Sequence, residues 1–163
     1  MTPEEAKHLI KQYHQQVPFV KELMDTVQRR VGGPVGGGFV RSLLGRKCRF
    51  NLWEPNLFVS SKALPRDQAV IEYGTNIKRA YTYKSLNRLI QASASDFTKR
   101  AMVEIYKTGK VPLVQIHDEL ALSVKDMEEA KGIQEIMENC VELQVPCPTD
   151  AALGPNWGNL KDA

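Results

Sequence analysis

No apolar run in these 163 residues approaches the roughly 20 residues of a membrane-spanning helix, so no membrane partner is expected. Cysteine is scarce as well. Cys48, Cys140 and Cys147 show neither C-x-x-C spacing nor neighbouring histidines, which leaves a zinc site or a disulfide scaffold without support. They read as reduced thiols of a cytoplasmic protein, and nothing at the N-terminus resembles a signal peptide. Internal repeats, low-complexity blocks and a strong charge of either sign are also lacking. The net charge is only +3, yet cations gather at 29–30, 41–49, 78–79 and 99–100, so a polyanionic partner is allowed without being required. What is present suits a globular domain: 42% hydrophobic and 25% charged residues supply one core, in a chain too short for a second large domain.

Thr2, Pro3 and Glu5 form a capping-box pattern that predicts a helix to about Gln16. Pro18 then marks a kink or restart, and Phe19, Leu23, Val27 and Val31 recur at four-residue spacing until "GGPVGGG" interrupts the chain. Residues 39–53, "FVRSLLGRKCRFNLW", predict two short strands flanking a turn at Gly45, with basic side chains on both arms. Residues 54–67 read as a loop. From about Asp67 to Lys107 the pattern is helical. At about 100° per residue, Leu86, Ile90, Ala94, Phe97, Ala101 and Ile105 share an apolar stripe beside a polar arc of Lys84, Asn87, Gln91, Ser95 and Thr98. A helix capped by Asp126 and Glu129 is expected to reach about Leu143, followed by a short strand and a Gly/Pro-rich tail. The order αα, ββ, α, β, α, β implies an α+β fold with an antiparallel sheet.

The best strand signal is "PLVQIHDELALSV", residues 112–124, and its middle is polar. Strict alternation would put Asp118 on the same face as Val114, Ile116, Leu120, Leu122 and Val124. An unpaired buried carboxylate costs several kcal/mol. A turn at His117 and Asp118 avoids that cost, so the stretch predicts a hairpin with its acids at an exposed tip. Asp118 and Glu119 repel by about 1 kcal/mol at about 4 Å in water. A divalent cation converts that repulsion into binding, and carboxylates are hard ligands of the kind Mg²⁺ takes together with substrate phosphates. A solvated acidic turn is the other reading that spacing alone allows.

The residues also carry a resemblance. "VQIHDEL" (114–120) resembles motif C of the family A DNA polymerases. "SLLGRKCRF" (42–50) is similar to that family's L-x-G-R-(R/K) hairpin, and "NRLIQASASDFTKRAM" (87–102) to its N-x-x-x-Q helix. "IMENCVEL" (136–143) and "GPNWGNL" (154–160) resemble later family segments, all in family order. The resemblance implies the C-terminal part of a polymerase domain, with an antiparallel palm sheet and a motif C hairpin packed on helices. Its parts would be helices after the fingers at 1–31, a basic hairpin at 39–53, a DNA-facing helix at 67–107, the motif C hairpin at 111–125, and a helix, strand and tail at 126–163.

The implied reaction is nucleotidyl transfer from a dNTP to a primer 3′-hydroxyl by a two-metal mechanism using Mg²⁺. In it Asp118 holds metal and Glu119 supports it, while His117 meets the primer terminus. Asn87 and Gln91 reach the minor groove, where acceptors occur in every base pair, and Gln115 is a further DNA contact. Arg46 and Lys47 face phosphates, which positions DNA without reading it. The implied partners are primer-template DNA, dNTP and the remaining polymerase polypeptide, in the cytoplasm of a bacterial or phage-infected cell.

Two family elements do not occur in these residues. Motif A, D-x-S-x-x-x-x-R, carries the second palm aspartate, and motif B, R-x-x-x-K-x-x-x-x-x-x-Y-G, carries the fingers helix. Lys62, Arg66, Tyr73 and Gly74 reproduce the motif B spacing with the cations exchanged, but Pro65 would interrupt such a helix at a cost of about 3 kcal/mol. Tyr83 stands where many bacterial members carry arginine. The chain therefore reads as a polymerase piece, a cloned fragment or one product of a split gene, that does not extend a primer alone. Rival readings are a Mg²⁺-dependent nuclease using Asp118 and Glu119, and a non-catalytic DNA-binding or assembly fragment whose binding weakens with salt.

Overall fold

A computed structural model of the chain describes residues 1–33, 37–57 and 61–162. Within the expected Gly-rich break, residues 34–36 lie outside the described residues, as do 58–60 within the expected loop. The chain falls into two compact units, Met1–Ala92 and Ser93–Ala163.

The first unit opens with α1 (Pro3–Gln16), started as its sequence predicts. Thr2 Oγ1 accepts from the Glu5 N–H at 3.2 Å, and the Thr2 N–H donates to Glu5 Oε2 at 2.7 Å. Helix α2 (Pro18–Gly32) restarts at Pro18. Only the C-terminal half of its apolar row is covered. Val27 and Val31 join Val40 and Phe50 in a buried cluster, with Cys48 and Leu89 against it, whereas Phe19 stays 65% exposed.

Strands β1 (Phe39–Arg41) and β2 (Lys47–Arg49) form the expected basic hairpin, with Phe39 opposite Arg49 and Arg41 opposite Lys47. Gly45 takes a φ of +87°, a conformation that glycine adopts without steric cost. Leu52–Pro55 forms β3 instead of continuing this hairpin or entering a loop. It lies between β4 (Leu64–Pro65) and β5 (Ile77–Arg79) in a separate antiparallel sheet. Trp53 ties that sheet to its surroundings, since its ring meets the guanidinium groups of Arg66 at 5.7 Å and Arg79 at 4.6 Å.

The helical stretch expected over 67–107 is consequently broken. Helix α3 (Arg66–Tyr73) stops at Gly74, where φ is +77°. β5 and a 3-10 turn over Thr82–Lys84 follow, and α4 occupies only Ser85–Lys107. Pairing with β3 outweighs the local helical pattern, a tertiary override of propensity. At the residues with motif B spacing, Pro65 caps α3, Lys62 lies before the helix, and the Lys62 carbonyl accepts from the Tyr73 hydroxyl at 2.9 Å.

Helix α4 departs from its predicted stripe at Ile90 and keeps it at Ala101 and Ile105, which are fully buried. Ser85 and Ala92 are buried and Leu89 packs on the α2 cluster, while Ile90 is 57% exposed. Farther along, Thr98, Ala101 and Ile105 are buried, on the opposite side of the helix at about 100° per residue. Thr98 was expected on the polar arc. It is buried at little cost because its hydroxyl donates to the Ala94 carbonyl at 3.3 Å.

In the second unit, β6 (Val114–Ile116) and β7 (Glu119–Ala121) pair antiparallel. Helix α5 (Met127–Asn139) is capped by Asp126, whose Oδ1 accepts from the Glu129 N–H at 2.9 Å. It ends short of Leu143. The Cys140 thiol, pushed up in pKa by burial, donates to the Met137 carbonyl at 3.2 Å. Strands β8 (Ala152–Leu153) and β9 (Lys161–Asp162) close the tail around a 3-10 turn at Trp157–Asn159. All described pairings are antiparallel and the fold is α+β as expected, although the strands form small separate sheets.

A Cβ at Gly154 would run into the Asn159 carbonyl, which is backbone and cannot rotate away. Gly154→Ala should therefore cost about 1–3 kcal/mol locally. The expected result is amide exchange faster by about fivefold or more over residues 152–162, with exchange in α2 unaltered.

Candidate functional site

The hairpin that sequence alternation could not accommodate as one strand turns at the residues expected. Val114 pairs with Ala121, Gln115 with Leu120 and Ile116 with Glu119, leaving His117 and Asp118 as a two-residue turn. His117 has a φ of +54°, and among the described residues only Tyr81 shares that left-handed conformation without being glycine. A side chain held there costs on the order of 1 kcal/mol or more, and such strain gathers at functional sites. The Gln115 side-chain amide donates to the His117 carbonyl and so helps hold the turn. Gln115, His117, Asp118 and Glu119 are all exposed. Two neighbouring carboxylates thus stand at the tip beside an imidazole, open to anything that approaches.

By donor type the tip fits a hard divalent cation, because both acids offer only oxygen. By number it supplies part of a ligand set. Among the described residues no group of three or more His, Cys, Asp or Glu side chains converges to hold a metal ion.

In the first unit, Asn87 and Gln91 are exposed one turn apart on α4. The basic hairpin is braced against the same helix. Arg46 Nη2 donates to the Ala92 carbonyl at 3.0 Å, and Arg88 Nη1 donates to the Arg49 carbonyl at 2.9 Å. Arg88 also lies 4.5 Å over the Phe50 ring. Arg46 therefore has a structural task besides any contact with phosphate, while Lys47 is exposed with its ammonium 4.9 Å over Phe39. The amides and the basic hairpin of the first unit are thus one assembly. The acidic hairpin belongs to the second unit.

Sequence reasoning missed Arg88, whose bond to Arg49 spans 39 positions. It also missed the Tyr81 turn, where Lys84 lies 5.3 Å from the Tyr81 ring and 5.6 Å from the Tyr83 ring. The adjacency of "YTYK" could have suggested the latter. Nothing local could have suggested the former.

Residues 1–159 match the family model for DNA polymerase family A, which spans nearly the whole chain. The chain belongs to DNA polymerase family A. The DNA-directed DNA polymerase of Pseudomonas phage M6 is 34% identical over 155 residues, covering 95% of this chain and 20% of that polymerase. The thermostable DNA polymerase I of Thermus filiformis is 29% identical over 164 residues, covering 96% of this chain and 17% of that enzyme. This family A chain thus spans about a fifth of the length of these curated relatives. Among solved structures it is similar to the POL domain of Pol1 from M. smegmatis, which was determined in complex with a DNA primer-template and dNTP. Identity is 28% and the TM-score 0.61, over 90% of this chain and 24% of that one. Among the described residues of the family A chain, no helix is long and apolar enough to cross a membrane.

Proposed function

We propose that this chain is a C-terminal palm segment of a DNA-directed DNA polymerase, adding a nucleotide from dNTP to a primer 3′-hydroxyl together with a polypeptide that carries motifs A and B. One observation carries the reading: a two-residue turn leaves the consecutive carboxylates of Asp118 and Glu119 exposed at a hairpin tip, in a chain of this family. Asp118 is the metal-holding carboxylate, and Glu119 adds a supporting oxygen. Bound Mg²⁺ would activate the primer hydroxyl and offset charge on the transferring phosphates. His117 donates a hydrogen bond to the primer terminus. Gln115, bonded to the His117 carbonyl, keeps that residue in its left-handed conformation and adds a DNA contact. Asn87 and Gln91 donate to minor-groove acceptors, and Arg46 and Lys47 lie against the phosphates.

The test is reconstitution. Alone the chain should not extend a primer, and mixing with a polypeptide carrying motifs A and B should produce Mg²⁺-dependent extension. Extension by the isolated chain, or cleavage of DNA without added nucleotide, would sink the reading. Duplex binding by the mixture offers a second measurement. Asn87→Ala with Gln91→Ala should weaken binding by about 1 kcal/mol per lost hydrogen bond, equally for every sequence. Lys47→Ala should reduce the slope of log affinity against log salt by about one. Losses that differ between sequences would refute the minor-groove assignment.

A further inference from the structure

Both stems of the Asp118 hairpin end on one carboxylate. Lys110, shortly before β6, pairs through its ammonium with Glu129 Oε1. The backbone N–H of Lys125, shortly after β7, donates to Glu129 Oε2 at 2.7 Å. Glu129 stands in the first turn of α5, where its own N–H donates to the Asp126 cap. The pair is shielded, with 28% and 22% of the Lys110 and Glu129 side chains exposed. Bonding to the Lys110 ammonium, and secondly to the Lys125 N–H, holds the Glu129 carboxyl below its ordinary range.

The hairpin needs such a fixture. A two-stranded ribbon is marginal by itself, all three residues of β6 are exposed, and Leu120 and Ala121 of β7 are only half-buried, so packing leaves part of the direction of the tip to other contacts. A metal-holding carboxylate must stay within about 0.5 Å and 10–20° of its working position. Fastening the stems is one way to hold the tip that closely. One stem is fastened by a side chain and the other by backbone, and both meet on Glu129.

We propose that Lys110 and Glu129 are positioning residues for nucleotidyl transfer, their clasp fastening the two stems of the hairpin to α5 and so setting where Asp118 stands. The inference rests on the polymerase reading above, and its test separates the two. Glu129→Gln keeps an acceptor for the Lys125 N–H at the capping position and removes the charge that faces Lys110. Lys110→Met removes the other charge, and Lys110→Arg restores it. In the full chain alone, Glu129→Gln and Lys110→Met should each speed amide exchange over residues 111–124 about fivefold, with Lys110→Arg near the unsubstituted rate. In the reconstituted mixture the same two variants should lower the extension rate at saturating dNTP about tenfold while the KM for dNTP holds. Arginine at 110 should rescue it. Unchanged hairpin exchange in both variants would overturn the clasp, and faster exchange with undiminished extension would overturn its role in positioning. A mixture of unsubstituted chains that never extends a primer would defeat the polymerase reading and the positioning role together, while the exchange measurement still decides the clasp.

Discussion

Asp118→Ala is expected to lower single-turnover extension by the reconstituted polymerase about a thousandfold or more. The size follows from the role proposed for Asp118. A carboxylate that holds the catalytic cation supports several kcal/mol of charge stabilisation in the transition state, and about 4 kcal/mol corresponds to three orders of magnitude. The position makes the result clean, because Asp118 is exposed at a turn and its removal leaves no cavity. Folding should be intact, as read by an unchanged urea midpoint. Glu119→Ala should be milder, about tenfold, because a supporting oxygen can be replaced by water. Near-normal extension by the Asp118 variant would remove that residue from the metal site. Equal and complete loss in both would mean that the two carboxylates act as one unit.

The second large effect concerns stability. Ile105 is fully buried and Ile90 is 57% exposed, although both were expected on one apolar stripe of α4. Ile105→Ala should destabilise the chain by about 2–5 kcal/mol, the transfer loss plus an unfilled cavity. Ile90→Ala should stay within about 0.5 kcal/mol. Equilibrium urea unfolding of the two variants checks this directly. Similar losses at both positions would restore the single stripe.

Those two residues also mark how far the sequence could be read. The helix over Ser85–Lys107 was legible because its apolar positions recur at the helical period. Which of them is covered was not, since covering depends on what packs there: the α2 cluster meets Leu89, while burial farther along falls on Thr98, Ala101 and Ile105. The same limit explains β5. Ile77–Arg79 looked helical in isolation and became a strand because β3 offered a partner.

The tip of the acidic hairpin was legible for an energetic reason. A continuous strand would have put Asp118 among apolar residues at several kcal/mol, so a turn at 117–118 was the less costly solution. The left-handed conformation of His117 was not read from the sequence, although histidine is among the non-glycine residues that adopt it more often than most. The family resemblance pointed to Asp118, Glu119, Asn87 and Gln91. It missed that Arg46 and Arg88 brace the basic hairpin on α4, and that Glu129 joins both stems of the acidic one.

By itself, then, the sequence determined the family, the helix starts at Thr2, Pro18 and Asp126, and the turns at Gly45 and at His117–Asp118. Each start and turn depends on residues within about four positions of one another, where capping bonds and backbone preference decide. Tertiary structure alone decided that Ile90 of the α4 stripe stays exposed while Ile105 is buried, that Leu52–Pro55 and Ile77–Arg79 share a sheet, and that Lys110 meets Glu129. Those outcomes join residues distant along the chain. Their energies exist only once packing has brought the partners together.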